Sequence, residues 1–400
     1  MIMFKRLLQL TFLSLVIGFG YLSFDYWQDP PYWRRWWDLI THPQPDRMNF
    51  SPTVAIQSGR SQFLPRAMPG EETISIAALD DAQAWAEAQS SFALLVVHRG
   101  KLQREWYRKG WKRNRLTQSQ SMMKTMTAMM LGLSIEDGFI ESVDDPVSRY
   151  LPEWADDPRG QISLKNLLVM SSGLAQYRFT LNPFARDSSF RFLNSSDRGP
   201  VVLASSLAWE PGSRFDYNDV NAQLAGMIIE RAAGQAYADY LRERLWGPMG
   251  GQYAELWLDR KDGMAMTACC LLASPLDWAK VGVMMKDGGY FNEQQVVPEQ
   301  WLEEMLRPSE QYPGYGYFTW LGKGLNEKAP PKKSRDYQRE EDFLAEDLFL
   351  LLGYGGQRVY VSRALDLVVV RLGPFAGMAP LAEDWDNTRL INTVIRGIRD

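Results

Sequence analysis

From Met122 to Ile135 the chain sets apolar residues at Met122, Met123, Met126, Met129, Met130, Leu133 and Ile135, with almost no charge after Lys124. A helix of this composition is apolar around most of its circumference, so the rest of the fold must enclose it. Glu136-Asp137-Gly138 ends it with a glycine stop. Its entrance is Ser121-Met122-Met123-Lys124. Residues three apart share a helix face, so the Lys124 amine can lie beside the Ser121 hydroxyl. A desolvated amine loses its proton more easily and can act as a base. The N–H groups and dipole at the helix start favour developing negative charge. The plainer alternative makes Ser121 an ordinary N-cap and Lys124 a solvated first-turn residue.

Few other routes to an activated nucleophile exist. The chain has two histidines, His42 and His98, and two adjacent cysteines, Cys269 and Cys270. A Ser-His-Asp triad would need one of two poorly placed rings, and a His/Cys zinc site lacks ligands. No metal and no cofactor are expected. Vicinal cysteines rarely pair, so Cys269 and Cys270 are read as small buried apolar residues. Four hundred residues with 46% hydrophobic content suffice for one large domain or two intimate ones. A net charge of −4 without a long basic tract does not point to nucleic acid.

The N-terminus reads as separate from the fold. Lys5-Arg6 precedes Leu7 to Phe24, a run without charge. In a helix that run spans about 27 Å, enough to cross a hydrocarbon core. Positive residues before it orient the remainder outward. Tyr26, Trp27, Tyr32, Trp33, Trp36 and Trp37, with Arg34 and Arg35, resemble an interfacial aromatic belt. The expectation is a membrane anchor over 1–24, a linker with little regular structure over 25–70, and a catalytic domain over 71–400. The domain would lie on the periplasmic side of the cytoplasmic membrane. A cleaved signal peptide is the alternative, although Gly20-Tyr21-Leu22-Ser23-Phe24 offers no convincing small-x-small site.

From Ile74 the pattern becomes globular. Phe92–Val97 and Leu102–Tyr107 flank His98-Arg99-Gly100-Lys101 as a hairpin. Arg358–Val361 and Leu365–Leu372 form a second strand pair, followed by a helix from about Asp384 to Ile398. The region between is expected to be helical over 122–137, 164–170, 221–233, 236–245, 276–286 and 298–306. This implies an antiparallel sheet whose ends meet, with helices around it and an inserted all-helical subdomain. Lys323 to Asp347, dense in charge, reads as a solvated loop, with an active-site flap as the alternative.

Ordered blocks then resemble the beta-lactamase-related serine hydrolases, the family of class C beta-lactamases, DD-peptidases and many esterases. Within it the chain looks most like the 6-aminohexanoate-dimer hydrolase-like members. The blocks are Ala93 to Leu102, Ser119 to Lys124, Gly138 to Val147 with Tyr150 to Glu153, Ile162 to Leu174, Pro211 to Tyr217, and Gly355 to Val361. The resemblance implies an α/β (α+β) fold of beta-lactamase/DD-peptidase type and a hydrolase working through an acyl-enzyme on Ser121, with Lys124 as base. Tyr217 falls at the tyrosine of the family's Tyr-x-Asn motif, where a phenol beside an ammonium can shuttle protons; packing as a core aromatic is the alternative. Where the family carries Asn this chain has Asp219, which could bind substrate or, like Asn218, cap the next helix.

The family's Lys/His-Thr/Ser-Gly motif maps onto Leu351, Leu352 and Gly353. Leucines cannot hold a substrate carboxylate, which lowers beta-lactams and D-Ala-D-Ala ends in the ranking. The backbone N–H groups of Ser121 and Tyr354 would form the oxyanion hole. Gly353, Gly355 and Gly356 would line the substrate, or simply form a turn between strands. Tyr177 would line the pocket, or be an ordinary surface aromatic. The implied activity is hydrolysis of an ester or small amide, with a DD-peptidase or beta-lactamase-type enzyme, or a non-catalytic binding module on the same fold, as the alternatives.

Overall fold

The computed structural model describes residues 26–41, 51–57, 59, 62–178, 180, 182–325, 337–374 and 385–399. Its strands are β1 (Thr53–Ile56), β2 (Ala93–His98), β3 (Lys101–Tyr107), β4 (Thr117–Gln118), β5 (Ala254–Trp257), β6 (Leu272–Ala273), β7 (Tyr290–Phe291), β8 (Gln294–Gln295), β9 (Trp320–Leu321), β10 (Phe349–Gly353), β11 (Gln357–Ser362) and β12 (Leu367–Leu372). The helices of eight residues or more are α1 (Pro30–Thr41), α2 (Ile76–Ala88), α3 (Met122–Glu136), α4 (Asp219–Ala233), α5 (Pro275–Lys286) and α6 (Arg389–Arg396).

The main sheet has the order β3-β2-β12-β11-β10-β9, antiparallel throughout. The sheet ends do meet in the sense expected, because β2 pairs with β12 from Ala93↔Leu372 to His98↔Leu367. The β2–β3 turn has positive φ at Arg99 (51°) and Gly100 (72°), the handedness that matches strand twist. All six residues of β2, β11 and β12 are buried, as in strands covered on both faces. Helix α5 lies against β2, β11 and β12, while α2 packs with α6. Helix α3 is buried from Met122 to Ser134 and packs on α4 and against β10. That contact brings the helix start to the edge of the sheet.

Several expectations are corrected. The region between the two halves of the sheet is not all-helical. β4, β5 and β6, which join β1 in a second sheet of order β1-β5-β6-β4, and the β7–β8 hairpin lie within it. Strands of two residues such as β4 and β6 are too short to carry a period that sequence could reveal. Residues 25–70 are not without structure: α1 and β1 form there, and β1 pairs with β5. Tyr32 and Arg35 of the supposed interfacial belt are buried. The Tyr32 hydroxyl donates to Pro183 O (2.7 Å), and Arg35 donates to the carbonyls of Ser51, Asn194, Ser195 and Asp259. Tyr32 and Arg35 hold α1 on the protein, where a sequence of Trp and Arg reads equally as a membrane surface.

The membrane-spanning helix is likewise corrected. Among the described residues no helix is long and apolar enough to cross a membrane, and residues 7–24 lie outside them. The anchor, the membrane partner and the periplasmic localisation are therefore set aside. The C-terminal helix begins at Arg389, not near Asp384, behind an Asp386–Thr388 turn in which Asp386 accepts from the backbone and hydroxyl of Thr388.

Candidate active site

The strand β4 leads to the site. Beyond its short ladder with β6, Ser119 N donates to Leu271 O (2.9 Å) and Cys270 N donates to Gln120 O (3.2 Å). Gln120 then takes a left-handed φ of 50°, which swings the chain out of the ladder and into α3. Ser121 is the residue at that helix start, and its side chain makes no capping hydrogen bond. Instead Lys124 Nζ donates to Ser121 Oγ at 2.9 Å. The same nitrogen donates to Ala268 O at 2.7 Å and pairs with Asp219 Oδ1 at 2.7 Å. It lies 5.0 Å from the centroid of the Tyr217 ring. Thus the i, i+3 spacing places hydroxyl and amine together, and neither a plain N-cap nor a solvated lysine describes them.

Lys124 is 1% exposed. Burial pushes its pKa down, and the Asp219 carboxylate partly opposes that shift. The Asp219 side chain is 46% exposed, so this ion pair has one buried and one wetted end. Helix α4 is capped by Asn218, whose side chain accepts from Val220 N at 3.1 Å. Asp219, the first helical residue, is left to face Lys124.

Tyr217 precedes that cap. Its carbonyl accepts from Gln176 Nε2 (2.8 Å), and its ring stacks on Trp320 (centroids 5.4 Å apart) and meets Tyr315 edge-on. Trp320 also packs against Tyr337, within the charged loop. Residues 326–336 of that loop lie outside the described part. The aromatic neighbours of Tyr217 come from β9 and the chain leading to it, which local sequence does not signal.

At the sheet edge, a Cβ on Gly353 would overlap the carbonyl oxygen of Ser119 and lie 3.0 Å from Gln120 Cβ. Only glycine lets β10 approach the nucleophile segment so closely. Leu351 and Leu352 are buried in β10, opposite Val359 and Arg358. Gly355 and Gly356, each with φ 77°, form the turn to β11. Tyr354, between Gly353 and Gly355, is exposed. The Gly353, Gly355 and Gly356 carbonyls accept from two buried arginines, Arg358 and Arg371. Neither arginine stood out in the sequence, since nothing in a strand pattern marks a buried cation.

Tyr177 is placed differently from the others. Its hydroxyl donates to Val201 O and accepts from Ser205 Oγ, and its ring stacks on Phe192. It braces the 190–205 region, and burial raises its pKa. Cys269 and Cys270 are buried, as expected, but they are bonded to each other. A φ of 79° at Cys270 turns the two side chains to the same side, which an extended backbone would not do. Ala268, just before them, supplies the carbonyl that receives Lys124. Among the described residues no group of three or more His, Cys, Asp or Glu side chains could hold a metal ion.

The 6-aminohexanoate-dimer hydrolase of Paenarthrobacter ureafaciens is 24% identical over 299 residues, covering 72% of this chain and 73% of its own. A solved Bacillus anthracis protein, provisionally named a 6-aminohexanoate-dimer hydrolase, superposes with TM-score 0.69 at 18% identity, covering 92% of this chain and 94% of its own. EstCE1, described as a hydrolase with promiscuous acyltransferase activity, superposes at 0.60 with 16% identity, covering 80% and 100%. These structural likenesses speak for the fold. The beta-lactamase family model matches residues 77–392, a span that runs from α2 through the Ser121 site and both halves of the sheet into α6, and the chain therefore belongs to the beta-lactamase family, as a serine hydrolase of that fold.

Proposed function

We propose that this protein cleaves an ester or small amide through an acyl-enzyme on Ser121. The observation that carries this reading is the 2.9 Å contact between Lys124 Nζ and Ser121 Oγ, made by an amine with 1% exposure. In the neutral form Lys124 takes the Ser121 proton as Oγ bonds to the substrate carbonyl carbon and its π electrons move onto oxygen. The N–H groups of Ser121 and Tyr354 meet that oxyanion. On collapse the C–O or C–N bond breaks, and the proton reaches the leaving group through Tyr217. Water then repeats the sequence on the acyl-enzyme, giving the acid and restoring Ser121.

Leu351 and Leu352 leave no side-chain cation at the sheet-edge positions, so a substrate with no carboxylate beside the scissile bond suits the site better than a beta-lactam. The relatives' names, a dimer hydrolase and a hydrolase with acyltransferase activity, support a small amide or ester. The test is a fluorophosphonate probe on the full chain, with peptide mapping. Label is expected on Ser121 and lost in Ser121→Ala; a folded protein that stays unlabelled, or carries label elsewhere, would sink the reading. Aryl esters, short amides and nitrocefin, assayed together, then rank the substrate classes.

Asp219 provides a second check. Its carboxylate favours the charged form of Lys124, so Asp219→Asn should lower the Lys124 pKa further. Free amine would then persist to lower pH, and the ascending limb of the kcat/KM profile should move to lower pH. A limb that stays put or moves upward would show that another group sets it.

A further inference from the structure

We propose that Arg358 is a positioning residue that aims the Tyr354 N–H by gripping the other end of its peptide unit. This rests on the reading of Ser121 as nucleophile and Tyr354 N–H as oxyanion donor. Arg358 is fully buried on β11, and its Nη1 donates to Gly353 O at 2.8 Å. That oxygen belongs to the Gly353–Tyr354 peptide. The peptide is trans, the one cis bond among the described residues being Ser51-Pro52. In a planar trans unit the C=O and N–H point in opposite directions. Holding the oxygen on the buried side therefore turns the Tyr354 N–H to the other side, where Tyr354 is exposed and Gly353 abuts Ser119. A cation on the carbonyl also polarises the amide, which strengthens its N–H as a donor.

The grip is itself held. Arg358 Nε donates to Asn387 Oδ1 (2.9 Å), and its guanidinium carbon lies 5.5 Å from the Trp385 ring centroid. Arg371, 4.9 Å from the same centroid, donates to Gly355 O (3.0 Å) and Gly356 O (2.9 Å). Its other nitrogens reach Ser91 Oγ and Gln89 O. Two glycines at φ 77° have wide conformational freedom, and a turn built from them needs external fixing to hold a donor still. Three carbonyls of the turn, those of Gly353, Gly355 and Gly356, are bound by two buried guanidiniums, which supply that fixing. Burying two such cations is costly for stability alone, and a strand pair could be closed without them.

The test compares Arg358→Met, Arg358→Lys and the wild type on an aryl ester and its thiono counterpart, in which sulfur replaces the carbonyl oxygen. Removing an oxyanion donor costs about 10²–10³-fold in kcat, so misaiming one is expected to cost roughly tenfold to a hundredfold. Arg358→Met should lower kcat and kcat/KM together with KM within about twofold, the mark of an interaction made in the transition state. Arg358→Lys, which keeps the charge but cannot bridge Gly353 and Asn387, should fall between. In both, the rate preference for the oxygen ester over the thiono ester should shrink. If Arg358→Met does not fold, Arg358→Lys alone decides. A folded variant with wild-type kcat overturns the inference. So does a loss confined to KM, or a lower kcat with an unchanged oxygen-to-sulfur preference. A wild type that neither hydrolyses any ester nor labels at Ser121 is a separate result, since it removes the underlying function.

Discussion

Lys124→Ala is expected to lower kcat by about 10²–10⁴-fold on any ester the wild type cleaves, the range for loss of a positioned base. The fold should remain intact, for a reason specific to this site. Breaking a buried ion pair is usually expensive because it strands a buried charge. Here the partner left behind, Asp219, is 46% exposed and can be solvated. The lysine itself is the desolvated member, and its depressed pKa reflects that cost. Lys124→Met, which fills the same volume without charge, should therefore melt at or above the wild-type temperature while being as inactive as Lys124→Ala. Steady-state kinetics with thermal denaturation of both variants decide the matter. Near-normal turnover would remove Lys124 from the proton path, and a sharp drop in melting temperature for Lys124→Met would show that the amine holds the fold.

Gly353→Ala should disable the site from the opposite side. The added methyl group would overlap the Ser119 carbonyl oxygen and crowd Gln357 Cβ at 2.9 Å. The obstacle is backbone, so rotating a side chain cannot relieve it. The end of β10 must move away from the segment carrying Ser121, widening the gap between the two proposed oxyanion donors. Overpacking of this kind costs about 1–3 kcal/mol of stability, and loss of one donor about 10²–10³-fold in kcat. Denaturant unfolding and the rate of fluorophosphonate labelling measure the two effects. Unchanged labelling in a folded Gly353→Ala protein would mean that the sheet edge plays no part in the reaction.

The parts of this molecule that were legible in the sequence are those set by neighbours along the chain. The i, i+3 spacing of Ser121 and Lys124, the apolar run of α3 and the hairpin at Arg99-Gly100 all depend on a few consecutive residues. The resemblance of ordered blocks extended that reach to Tyr217 and Gly353. What stayed hidden depends on pairing across long separations. The second sheet joins β1 of the supposed linker to β5 about two hundred residues later, through strands too short for a period to show. Arg35 of α1 reads the same in the sequence whether it meets lipid headgroups or the Asn194 and Asp259 carbonyls. Adjacent cysteines look unbonded until a positive φ brings their side chains together.

By itself, then, the amino-acid sequence determined which chemical groups stand at the start of α3 and that this helix had to be enclosed, because helix periodicity and apolar burial act over short range. Tertiary structure alone decided that Asp219 meets the amine instead of capping α4, that Ala268 and the Tyr217–Trp320 stack surround it, and that Arg358 and Arg371 grip the turn beside Ser121. Those choices are made by which distant segments exclude water from one another, and no local pattern of residues encodes them.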